Sequence, residues 1–169
     1  MESRAKQKNK GFTLIETLLY IALLAIIIIF LIGFFQKTVF LKGKINERLD
    51  NLDNAQYALD RMVWYAQNSI EVNEPKTGET TNRLSVNSLV AEKNPVIFFV
   101  EDNILKVQFG NDSPINLTNN RIQVEELDFI NYGFANQPGI IKINLTAKGK
   151  NSFWQVQPIN LQTSVKLER

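Results

Sequence analysis

Hydrophobic and polar positions divide the chain into three stretches. From position 18 to 35 every residue is apolar, aromatic or glycine, reading Leu-Leu-Tyr-Ile-Ala-Leu-Leu-Ala-Ile-Ile-Ile-Ile-Phe-Leu-Ile-Gly-Phe-Phe. With residues 12–17 added, this run reaches the ~20 residues that a helix needs to cross a bilayer. In lipid the backbone must satisfy its own hydrogen bonds, so the run predicts a helix. Residues 37–70 contain no proline and remain helix-compatible. Ile45, Leu49, Leu52, Gln56, Leu59, Val63, Ala66 and Ile70 recur there at alternating spacings of four and three. Asn46, Glu47, Asp50, Asp53, Asn54, Asp60 and Gln67 lie opposite. This is the pattern of an amphipathic helix. Its apolar stripe is read first as packing against the chain's own sheet, and second as a coiled-coil seam to other helices. A helix over residues 12–70 would be about 85–90 Å long at ~1.5 Å per residue.

Beyond residue 70 the period shortens. Residues 73–82 are polar, with Pro75 and Gly78, and read as a loop. Residues 84–90 and 96–100 are candidate strands. Glu101-Asp102-Asn103 reads as a turn that leads into a strand at 104–109, which makes a β-hairpin. Residues 110–114 form another turn, and 115–117 a short strand. Ile122, Val124, Leu127 and Phe129 alternate with a slip at Glu125-Glu126, the mark of a bulge. Ile141, Ile143 and Leu145 alternate with Lys142, Asn144 and Thr146. Residues 153–167 return as strand, interrupted by Pro158 at an edge, bulge or break. The expected fold is α+β: a long N-terminal helix, membrane-spanning in its front half, packed on a C-terminal antiparallel β-sheet domain. Four segments follow: 1–11, 12–36, 37–70 and 71–169.

Composition narrows the chemistry. The 169 residues include no Cys, which removes disulfides and thiolate chemistry. They include no His, the commonest general base and metal ligand. The net charge of +2 belongs to the first eleven residues, where Arg4, Lys6, Lys8 and Lys10 face Glu2; without them the formal charge is −1. Charge therefore gives no reason to expect a nucleic-acid partner. A basic flank before an apolar run predicts that the N-terminus stays cytoplasmic. No Gly-rich phosphate loop is present, and no metal site or cofactor is expected. The turns Glu101-Asp102-Asn103 and Asn111-Asp112-Ser113 are oxygen-rich, but calcium needs six or more oxygens from several segments. Glu125-Glu126 reads as a strand face, because nothing places a second catalytic group beside it. Trp64, Tyr65, Phe153 and Trp154 read as core. Asn116 and Asn144 begin Asn-x-Thr sequences, which matter only in a glycosylating compartment.

Glu16 stands inside the apolar run. A carboxylate well inside a spanning helix costs roughly 2.5–3.5 kcal/mol on insertion scales. A secretory signal peptide does not fit, because no small-residue cleavage site follows the run. A plain single-span anchor accounts for the hydrophobicity but not for Glu16. The junction Gly11-Phe12-Thr13-Leu14-Ile15-Glu16, preceded by a short basic leader, resembles the N-terminus of type IV pilins and of type II secretion and competence pseudopilins. The resemblance covers residues 4–35.

It implies that a prepilin peptidase/methyltransferase cuts after Gly11 and methylates the new amine on Phe12. It also implies that Glu16 pairs with an N-terminal amine, a neighbouring subunit's or its own. Two opposite charges in a low-dielectric core attract, though desolvation offsets much of the gain. Membrane lipid, an inner-membrane assembly platform and other pilin or pseudopilin subunits are the implied partners. The implied location is the inner membrane, single-pass, with the C-terminal domain extracytoplasmic, and afterwards a filament.

Gly33 replaces the proline that many major pilins carry near this point. It is a candidate hinge, or a site of close helix packing in the membrane. The missing cysteine pair departs from Gram-negative major pilins, and residues 161–169 resemble the last strand of minor pseudopilins of the J class. The expected function is structural and not enzymatic: a minor pilin or pseudopilin of a machine for secretion, adhesion, motility or DNA uptake. The alternative is a membrane-anchored extracytoplasmic binding module that does not assemble.

Overall fold

The computed structural model of the chain describes residues 11–133, 139–150 and 156–167. The chain divides into two compact units, Met1–Lys42 and Gly43–Arg169. A single helix, α1 (Leu14–Gln67), supplies residues to both. Within the first unit its large apolar side chains stand exposed; Ile29 is 71% and Phe30 73% accessible. Helical hydrogen bonding continues through Gly33 and Gly43. Thr17 and Thr38 do not break it, because each hydroxyl donates to a carbonyl one turn back: Thr17 to Leu14 at 2.8 Å and Thr38 to Phe34 at 2.9 Å.

Among its described residues the second unit holds the end of α1 and nine strands in two antiparallel sheets. One sheet contains β1 (Ser69–Glu74), β3 (Leu84–Ser88), β4 (Val96–Glu101), β5 (Ile104–Phe109) and β6 (Ile115–Asn116), in that spatial order. The other is ordered β2 (Thr80–Thr81), β7 (Ile122–Asn131), β8 (Ile140–Gly149) and β9 (Ile159–Lys166). The result is the expected α+β layout, a long helix packed on antiparallel sheets.

The β4–β5 hairpin closes through Asp102 and Asn103, with φ of 55° and 60°. Two left-handed residues between the partners Glu101 and Ile104 make a type I′ turn, whose twist matches the flanking strands. Lys106 pairs with Glu101 beside it. The bulge expected at Glu125-Glu126 is present as a register shift between Val124 and Glu126, and Glu125 pairs with Lys148 on the neighbouring strand. In β8 the alternation is complete: Ile141, Ile143, Leu145 and Ala147 are buried, and the residues between them are half-buried. Pro158 falls just before β9.

Three expectations change. The helix ends at Gln67, so Ile70, expected on it, lies in β1, and Asn73 and Glu74 complete that strand where a loop was expected. The Ser69 hydroxyl donates to the Ala66 carbonyl at 2.7 Å, helping to satisfy the last turn. The buried face of α1 is also rotated from the expected stripe. It consists of Asn51, Ala55, Ala58, Leu59, Met62 and Ala66, while Ile45 and Leu49 stay about half exposed. Alanine carries almost no side-chain bulk, so Ala55, Ala58 and Ala66 let the sheets come close to the helix axis. Finally, Trp64 is exposed, whereas Tyr65 packs edge-on and tilted against Phe109 and Phe98, at 5.7 and 5.8 Å between ring centres. Phe153 and Trp154 lie outside the described residues.

One cluster of buried side chains joins α1 to both sheets, with Phe98 from the first sheet and Phe129 from the second fully inaccessible. Burying each such ring is worth about 1.5–3 kcal/mol. Asn131 pins a loop to the end of β7: its side-chain amide donates to the Pro75 carbonyl at 2.9 Å and accepts from the Gly133 N–H at 2.9 Å.

Candidate processing and assembly site

The residues singled out at the N-terminus surround the start of α1. Gly11 lies outside the helix, exposed, with nothing within 4 Å of where a Cβ would stand. Phe12 is 71% accessible and also precedes the helix. Residues 1–10, the basic leader, lie outside the described residues.

Thr13 is the N-cap. The Glu16 backbone N–H donates both to the Thr13 carbonyl, at 3.1 Å, and to the Thr13 hydroxyl, at 3.3 Å. A capping hydroxyl satisfies one of the donors that every helix start leaves open. Thr13, matched above only as part of the motif, thus has a local structural reason to be there. Its mark in the sequence is the Thr-x-x-Glu spacing of a capping box. Glu16 sits in the first turn, where a negative charge is favoured by the helix dipole. Its side chain is exposed, and the Tyr20 hydroxyl faces it at 3.5 Å. Gly33 lies further along the same unbroken helix, and a Cβ there would also meet nothing within 4 Å. Gly11, Phe12 and Glu16 are therefore brought together within two turns, with Gly33 remote from them.

The exposed apolar surface is the second feature of the site. α1 is long and apolar enough to cross a membrane, and none of the apolar window is buried within the chain. A run of exposed Leu, Ile and Phe is not a stable water-facing surface, so lipid or another protein must cover it.

Elsewhere, the described residues contain no group of three or more His, Cys, Asp or Glu side chains able to hold a metal ion. Of the two oxygen-rich turns, one carries Glu101 paired with Lys106 and the other Asp112 paired with Lys93 at 2.7 Å.

No curated protein and no solved structure gives a significant match to the chain. A family model described as the prokaryotic N-terminal methylation motif matches residues 6–32. That motif implies processing by a prepilin peptidase and assembly with other pilins. Together with the apolar helix it points to a single-pass anchor in the inner membrane. The matched segment holds Gly11, Phe12 and Glu16 and the front of α1, and through it the chain carries the signature of type IV pilins and pseudopilins.

Proposed function

We propose that the chain is the precursor of a minor pilin or pseudopilin, a structural subunit without enzymatic activity. A prepilin peptidase removes residues 1–11 on the cytoplasmic side, and the new amine on Phe12 is methylated. Residues 12–36 first hold the protein in the inner membrane, with residues 71–169 extracytoplasmic. They then enter the core of a filament whose growth is driven from an inner-membrane assembly platform. Glu16 is the assembly determinant, and Gly33 lets the helix bend or pack closely.

The observation that carries this reading is the combination in one segment of the methylation motif, a fully exposed apolar helix and a single acid at its start. An acid costs several kcal/mol in hydrocarbon. The methylated amine of a neighbouring subunit keeps its positive charge and offsets that cost in the assembled state. Glu16 therefore sets registry between subunits.

The test is Glu16→Ala in the full chain, expressed with its sibling subunits. Cleavage after Gly11 continues, and incorporation into sheared filaments is lost. Normal incorporation of this variant would remove Glu16 from the assembly role.

A further inference from the structure

Phe12, Glu16 and Tyr20 are spaced four residues apart and gather on one side of the helix start, since residues separated by four are neighbours on a helix surface. The structure makes this concrete. The Tyr20 hydroxyl donates to Glu16 Oε1 at 3.5 Å, a long hydrogen bond, and the Phe12 and Tyr20 rings meet edge to face with centres 6.0 Å apart.

Glu16 differs from the other polar groups of this segment. The hydroxyls of Thr17 and Thr38 are satisfied by their own helix backbone. A carboxylate only accepts hydrogen bonds, and among the described residues the side-chain donor that reaches Glu16 is the Tyr20 hydroxyl. Tyr20 supplies a donor from the next turn on an apolar ring suited to lipid.

We infer that Tyr20 is a positioning residue for Glu16: its hydroxyl holds the carboxylate on the Phe12 side of the helix until a neighbouring subunit's amine takes it over. This rests on the assembly role proposed for Glu16. The competing role for Tyr20 is that of an interfacial aromatic, which anchors a helix by its amphipathic ring regardless of a neighbouring acid.

The full chain in phospholipid vesicles distinguishes the two. The Raman Fermi doublet of Tyr20, isolated as wild type minus Tyr20→Phe, reports whether the hydroxyl donates. It shows a donating hydroxyl in the wild type and loses that signature in Glu16→Leu. In parallel, Tyr20→Phe is cleaved normally after Gly11 but enters filaments about fivefold less well, the effect of losing one ordinary hydrogen bond. A doublet unchanged by Glu16→Leu, or wild-type incorporation of Tyr20→Phe, overturns the inference. Normal incorporation of Glu16→Leu instead overturns the assembly role of Glu16 itself, which separates the two failures.

Discussion

The backbone N–H of Glu16 donates to the Thr13 hydroxyl at 3.3 Å, so the residue that starts the helix and the residue that carries its charge belong to one turn. Capping thereby fixes where the carboxylate leaves the helix. Thr13→Val keeps the shape and removes the hydroxyl, at a cost of about 1 kcal/mol. Amide exchange at Glu16, followed in detergent micelles, should accelerate roughly fivefold, as that energy implies. An unchanged exchange rate would mean that the Thr13 carbonyl alone holds the turn.

Gly33 tests whether the apolar helix touches neighbours. A Cβ at this position meets nothing within 4 Å inside the chain, so Gly33→Ala leaves the isolated protein intact. It stiffens the helix by roughly 1 kcal/mol. We expect the variant to melt in detergent at or above the wild-type temperature and to incorporate poorly into filaments. Wild-type incorporation would dispose of both the hinge and the close-packing role.

Ala58 is fully buried where α1 meets the sheets. Ala58→Leu inserts a branched side chain into a filled space, which costs about 1–3 kcal/mol. Thermal unfolding of the full chain in detergent, followed by near-ultraviolet circular dichroism, should shift to lower temperature. The equivalent change at Gln56, which is exposed on the same helix, should leave the midpoint in place.

The residues that were legible in the sequence are those whose environment repeats. The apolar run needs no partner inside the chain to be recognised, because lipid imposes hydrophobicity on every face. Ile141, Ile143 and Leu145 show a period of two because one face of β8 is core and the other is not. The slip at Glu125-Glu126 is visible because a bulge shifts that period by one. The β1 strand was not legible: only Ser69 of its six residues is buried, so no alternation marks it and it reads as a continuation of the helix and a loop. The rotated face of α1 was hidden for another reason. A stripe of large residues draws the eye to Ile45 and Leu49, whereas close packing against a sheet selects small ones, and alanine carries little hydrophobic signal. At the N-terminus, Gly11, Phe12 and Glu16 stand out through their resemblance to the methylation motif that the family model matches. The role of Thr13 as cap and the approach of Tyr20 to Glu16 emerge only when the turn is built.

Intact-mass analysis decides whether the chain is a precursor cut after Gly11. The full chain is expressed with its own host's prepilin peptidase, in active form, and weighed. The expected product begins at a methylated Phe12. A chain that still carries residues 1–11 beside an active peptidase would contradict it, and would leave a membrane-anchored protein that does not assemble.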